Sequence, residues 1–227
     1  MNTWRYYRDF GGVNPDYHLP EEFFEGLKQD IDLEFAELSG EVRGEELGPG
    51  RITGEDAEKL YGVIREEEPR VVVETGVCNG VSTAVILEAL EENGGGRLYS
   101  IDLPEFPDSE GDEFWEGKGG AVIPPGKEPG WLIPEYLRDR WELIQGNTLY
   151  ELPRLLERLD SIELFVHDSE HSYEVMMFEF CLAWKHLADG GMLISDDVRW
   201  NDAFTDFASA NSLEKMKIGQ MGGVRKK

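Results

Sequence analysis

Three aspartates stand where two apolar runs end. Asp168 follows the run that carries Ile162, Leu164, Phe165 and Val166, and Asp196 and Asp197 follow Met192-Leu193-Ile194-Ser195. If the two runs are neighbouring parallel strands, all three carboxylates reach one carboxyl edge of a sheet, where ligands bind in open α/β folds. Like charges gathered there repel unless one is protonated or a cation lies between them. An all-oxygen donor set suits Mg²⁺ or a related divalent ion, with Asp168, Asp196 and Asp197 as its ligands. Taken singly, such acids are ordinary helix caps or solvated strand ends. Glu170 and His171, just past the first tip, are of types that act as general bases.

A second constellation precedes these. Residues 70–92 read RVVVETGVCNGVSTAVILEALEE. Val71, Val72 and Val73 signal a strand buried on both faces, and the pattern turns helical from Val81. The turn between holds Gly76 and Gly80, which would let backbone approach a ligand where a Cβ would block it. The helix N-terminus offers unpaired N–H groups, and Glu74 at the strand tip can accept from a ligand hydroxyl or ammonium. Asp102 ends the next strand, residues 97–102, in the place of a ribose-binding acid.

The pattern E-x-G-x-x-x-G-x-[ST] after a valine strand resembles the first motif of class I S-adenosylmethionine (SAM)-dependent methyltransferases. D-x-x-H-S-Y-E followed by G-G-x-L-I-x-D-D resembles the macrocin O-methyltransferase and cephalosporin-hydroxylase-like group within them, over roughly residues 53–202. The resemblance implies that SAM is held by Glu74, Gly76, Cys78, Gly80, Ser82, Asp102, Asn147 and Asp168. Asn147 stands where the family often has an aspartate beside the adenine. It further implies a divalent metal on Asp168, Asp196 and Asp197, and with Glu170 or His171 as the base the expected catalytic set is Asp168, Glu170 and His171. The expected reaction is metal-assisted O-methylation of a small hydroxylated acceptor. The contrasting reading is a non-catalytic nucleoside or metabolite binder of the same fold.

Two other motif readings fail. His167-Asp168-Ser169-Glu170-His171 fits H-x-x-E-H, but a zinc peptidase needs both histidines on one helix, and His167 ends an apolar strand. A short-chain dehydrogenase would need Tyr-x-x-x-Lys, whereas Tyr61, Tyr136 and Tyr173 are followed by Arg65, Arg140 and Met177.

The elements that position these residues alternate as strand and helix, which predicts a Rossmann-like, doubly wound α/β domain. Its mostly parallel sheet would have seven strands, with an antiparallel edge pair near 216–220 and 223–226. A helix over 20–38, a capping box Thr53-x-x-Asp56 and a short helix over 134–140 are expected, with Gly190-Gly191 closing the helix before the fifth strand. Residues 1–52 read as an N-terminal helical arm or lid, and 53–227 as the SAM-binding domain. The aromatic N-terminus suits a substrate lid or the dimer arm of a homo-oligomer. The segment 103–134, rich in Pro and Gly, is long enough to arch over a ligand crevice.

The charge is −25 with pI about 4.4, which excludes nucleic acid as a natural partner. Acids spread through the chain resemble those of salt-loving organisms. No apolar run approaches the roughly 18 residues of a membrane helix, the first ten residues, MNTWRYYRDF, are not expected to act as a signal peptide, and the two cysteines, Cys78 and Cys181, form no C-x-x-C pair. A cytoplasmic protein with reduced thiols is expected.

Overall fold

The computed structural model describes residues 7–11, 13–39, 50, 52–103 and 123–227. The centre of the fold follows from valine and its neighbours. Strand β1 (Arg8–Asp9) and helices α1 (Glu21–Ser39) and α2 (Gly54–Glu67) lead to β2 (Val71–Thr75). Along β2 the side chains alternate faces. Val72 joins a core cluster with Phe24, Leu27 and Ile31 of α1 and with Leu60 and Ile64 of α2. Val73 joins the opposite cluster. Helix α3 (Val81–Glu92) packs on the first side.

The chain then lays down β3 (Arg97–Asp102), β4 (Trp141–Gln145), α4 (Thr148–Leu159), β5 (Ile162–His167), α5 (Tyr173–His186), β6 (Leu187–Ser195), α6 (Ala203–Ala210), β7 (Met216–Ile218) and β8 (Met221–Arg225). In β5, Leu164 and Val166 feed the first cluster while Ile162 and Phe165 feed the second, with Met176 and Phe180 of α5 and Phe204 and Phe207 of α6. Helices on both faces of a parallel sheet explain why these strands read as continuous apolar runs.

The sheet has eight strands in the order β1-β7-β8-β6-β5-β2-β3-β4. Strands β2 to β6 pair in parallel, and β8 runs antiparallel to both β6 and β7. The count differs from the expected seven because Arg8 and Asp9 pair in parallel with Met216 and Lys217. Two residues carry no readable periodicity; the pairing is made by backbone, Arg8 N–H to Lys215 at 3.0 Å and Phe10 N–H to Lys217 at 2.9 Å.

One further difference is local. Gly190-Gly191 do not close a helix: α5 ends at His186, and Leu187 already pairs with Ile162 before the register shifts by the next pair, Leu164 with Met192. Gly190, at φ 83°, lies in that irregular stretch. The short helix expected over 134–140 is present as a 3₁₀ helix over residues 135–140. At the start of α2, Asp56 N–H donates to Thr53 Oγ1 at 3.2 Å as in a capping box. The Asp56 side chain departs from the box: it accepts the Thr53 hydroxyl at 2.6 Å and, at 2.5 Å, the backbone N–H of Gln220 in the β7–β8 turn.

Of the long segment, residues 104–122 lie outside the described residues, as do most of those between α1 and α2. Among the described residues no helix is long and apolar enough to cross a membrane.

With 47 acids against 22 Lys and Arg, repulsion within the surface sets the salt response. Salt also screens surface pairs such as Arg158–Glu142, but exposed pairs contribute only about 0–1 kcal/mol each. The melting temperature is therefore expected to climb steadily from dilute buffer to molar KCl. A flat profile in differential scanning fluorimetry would contradict this.

Candidate active site

The register of the sheet puts the chemistry on one line. Thr75 pairs with Ile101 on one side and with His167 on the other, and His167 pairs with Ser195. The next residue of each strand is Gly76, Asp102, Asp168 and Asp196. Backbone bonds continue the ladder one step further: Gly76 N–H to Ile101 at 2.9 Å, Asp168 N–H to Thr75 at 2.8 Å and Asp196 N–H to His167 at 2.9 Å. The chain leaves β2 toward β3 and β4 and returns to β5 on its other side. The line thus crosses the topological switch point, where open α/β sheets bind ligands.

The glycines of the turn are needed for a different reason than expected. Gly76 has φ 87°, and a Cβ there would collide with the carbonyl of Asp168. Gly80, at φ 91°, has Gly130 Cα 2.7 Å from where its Cβ would stand. Both Cβ positions are filled by this chain. The 130–133 segment docks on the turn through Gly130 N–H to Cys78 O at 2.9 Å and Trp131 Nε1 to Asn79 Oδ1 at 2.7 Å. Nothing in the sequence pairs Asn79 with Trp131, where only the glycines around them signal close packing.

Asp102 braces the same turn. Its Oδ2 accepts the N–H groups of Val77 at 3.1 Å and Cys78 at 2.6 Å. Cys78 takes a left-handed φ of 48° to allow this. Burial pushes the Asp102 carboxyl up against these backbone bonds, and the N–H of Leu103 also donates to it. A carboxylate has about four acceptor positions, so capacity for a further donor remains.

Glu74 points inward. It is fully buried and accepts the hydroxyls of Ser82 at 2.9 Å, Thr83 at 2.9 Å and Ser100 at 2.8 Å. Glu74 and Ser82, both expected at the ligand, bond to each other, since a side chain on the buried face of the βα joint meets the helix before it meets solvent. Burial outweighs the three hydroxyls and raises the Glu74 carboxyl to about 7, from 4.5. The native state then holds a proton that the unfolded chain releases first. Stability from this group is complete below pH 4.5 and is lost as pH rises to about 7. Glu74→Gln removes that titration. Wild type is expected to lose stability relative to the variant across this window, read by urea unfolding at its two ends. A constant difference would contradict it.

At the other end of the line, Asp168 keeps about a third of its side chain exposed. Burial, then Asp196 and Asp197, push its carboxyl well above the usual range. Burial also raises Asp196 and Asp197. Asp196 Oδ1 accepts the N–H of Asp197 at 2.8 Å, and Asp197 sits at φ 47°. His171 Nε2 lies 3.7 Å from Asp168 Oδ1 and 3.9 Å from Asp197 Oδ2, too far for hydrogen bonds, and has no hydrogen-bond partner among the described residues. Burial lowers the imidazole to about 3, so it is neutral. Glu170 is half-buried in the same turn. Asn147 caps α4, accepting the N–H of Leu149 at 2.9 Å.

Among the described residues, no three His, Cys, Asp or Glu groups stand close enough to hold a metal ion as placed. His167, expected only as a strand end, is fully buried with Nδ1 2.8 Å from Glu179 Oε2.

The sequence profile described as a methyltransferase domain matches residues 73–198, more than half of the chain. The protein belongs to this methyltransferase family. The matched span runs from within β2 to just past the β6 tip and contains the whole line of acids. Among solved structures, the methyltransferase PaMTH1 of Podospora anserina, bound to S-adenosylhomocysteine (SAH), superposes with a TM-score of 0.62 at 12% identity, covering 94% of this chain and 91% of that one. An O-methyltransferase from Bacillus cereus in complex with SAH gives 0.60 at 15% identity, covering 92% of each chain. The O-methyltransferase TomG of Streptomyces achromogenes, involved in tomaymycin synthesis and bound to SAM, gives 0.59 at 14%, again covering 92% of each. At these identities the likeness is one of fold. A comparison with curated protein sequences finds no match.

Proposed function

We propose that this methyltransferase uses SAM and methylates a hydroxyl of a small acceptor. The observation that carries the reading is the level placement of Asp102 and Asp168 on either side of the glycine turn at the switch point. The solved neighbours that carry SAM or SAH support it. Asp102, with acceptor capacity left after bracing the turn, would take the ribose hydroxyls. The acceptor would lie toward Asp168, Asp197 and His171. Glu170 or His171 would take the hydroxyl proton, both being of types that act as general bases, and His171 Nε2 has no hydrogen-bond partner among the described residues. The transfer then needs in-line alignment, which the fixed strand tips supply.

The donor chemistry of Asp168, Asp196 and Asp197 fits a hard divalent cation, although their present spacing does not bring three donors to one point. Their mutual repulsion is what such an ion would relieve. When bound it would lower the pKa of an acceptor hydroxyl. The membership in the macrocin-like group and the reading of the acidity as adaptation to high salt belong to the same proposal.

The test is transfer of label from methyl-labelled SAM to a panel of catechol and sugar hydroxyl acceptors. Asp168→Asn is expected to lose transfer while keeping SAH affinity, and EDTA to have the same effect, reversed by Mg²⁺ in wild type only. Full activity after exhaustive chelation would strike the metal from the reading. No transfer to any acceptor, despite SAH binding, would leave a binder.

A further inference from the structure

Glu179 is a buried acid that the reaction as proposed does not use. It sits within α5, fully buried, yet is surrounded by donors. Its Oε2 accepts the Thr75 hydroxyl at 2.6 Å and His167 Nδ1 at 2.8 Å, and its Oε1 accepts the Ser169 hydroxyl at 2.8 Å. Thr75 is the last residue of β2 and immediately precedes Gly76. His167 and Ser169 flank Asp168. One carboxylate therefore holds the residues on either side of the closest approach in the crevice, where Gly76 has no room for a Cβ against the Asp168 carbonyl.

We infer that Glu179 is a positioning residue of the cofactor crevice, acting through Thr75, His167 and Ser169 on the two strand tips that meet at Gly76 and Asp168. The inference rests on the SAM-dependent reading above. Hydrogen bonds to an ionised acid are stronger and shorter than neutral ones, which suits a fixed joint. Burial alone would raise the Glu179 carboxyl, but His167 and the hydroxyl donors bring it below the usual range. The His167 ring depends on this joint, because its Nε2 is buried and has no hydrogen-bond partner among the described residues. A carboxylate that fixes a histidine in this way orients the groups beside it, as in metal and triad sites. The spacing of 104 residues between Thr75 and Glu179 hides the joint from sequence reading.

The test is calorimetric titration with SAH of wild type, Glu179→Ala, Glu179→Gln and Thr75→Val. A core truncation distant from the tips, Leu90→Ala, serves as the stability control. Glu179→Ala is expected to weaken SAH binding at least about tenfold, the scale on which supporting groups around a site act. Glutamine can accept from Thr75 and His167 and donate to Ser169, so it is expected to stay within about threefold of wild type. Thr75→Val removes one donor isosterically and is expected to cost about threefold or more. Leu90→Ala should lower the melting temperature without changing SAH affinity. Wild-type affinity in Thr75→Val and in folded Glu179→Ala would reduce Glu179 to a structural residue and overturn the inference. If Glu179→Ala does not fold, Thr75→Val decides. Wild type that binds no SAH at all would instead sink the SAM-dependent reading, and this inference with it.

Discussion

Replacing Gly76 with valine is expected to unfold the protein rather than merely empty its cofactor site. Two costs add at this position. A left-handed backbone costs a residue with a Cβ about 1–2 kcal/mol, and Gly76 sits at φ 87°. Forcing atoms into a packed region costs about 1–3 kcal/mol more where neighbours can shift. Here the neighbour is the backbone of Asp168, part of the β5–α5 turn, which cannot rotate away as a side chain would. Against a total stability of about 5–15 kcal/mol, alanine would leave a marginal protein and valine a largely unfolded one. Circular dichroism melts of Gly76→Ala check this. A folded Gly76→Ala with the wild-type melting temperature and no SAH affinity would mean that ligand, not chain, claims the space.

The second large effect is expected at Asp102. Asp102→Ala strips the acceptor from the N–H groups of Val77 and Cys78 as well as the proposed ribose contact. Hydrogen bonds to a charged group contribute about 1.5–3 kcal/mol, so SAH affinity should fall by roughly ten- to a hundredfold. The melting temperature should fall too, because the turn loses its brace. Asp102→Asn keeps one acceptor oxygen for the turn and should lose affinity with a smaller change in stability. Equal stability and affinity in all three proteins would remove Asp102 from both roles.

Much of the fold was legible because its signals are local. Val71 to Val73 announce a strand covered on both faces, and the clusters on its two sides confirm that. Thr53 and Asp56 mark the start of α2 three residues apart. What sequence could not show is long-range. Arg8 and Asp9 join the sheet through backbone bonds to residues more than 200 positions away, and no side-chain pattern records such pairing. Gly190 and Gly191 look like a helix stop, yet the same residues serve an irregular strand. At the site, residue types were readable and directions were not. Gly76 and Gly80 read as room for a ligand, and the space a Cβ would fill at each is also held by the chain, by Asp168 and Gly130. Glu74 reads as a hand held out to a ligand, and it grips Ser82, Thr83 and Ser100 instead.

The most direct test of the account is an isothermal titration of the folded wild-type protein with SAH. The account predicts saturable binding at one site, lost by roughly ten- to a hundredfold in Asp102→Ala and little changed in Asp168→Asn. Absence of binding heat, in a protein whose circular dichroism and melting show it folded, would contradict it.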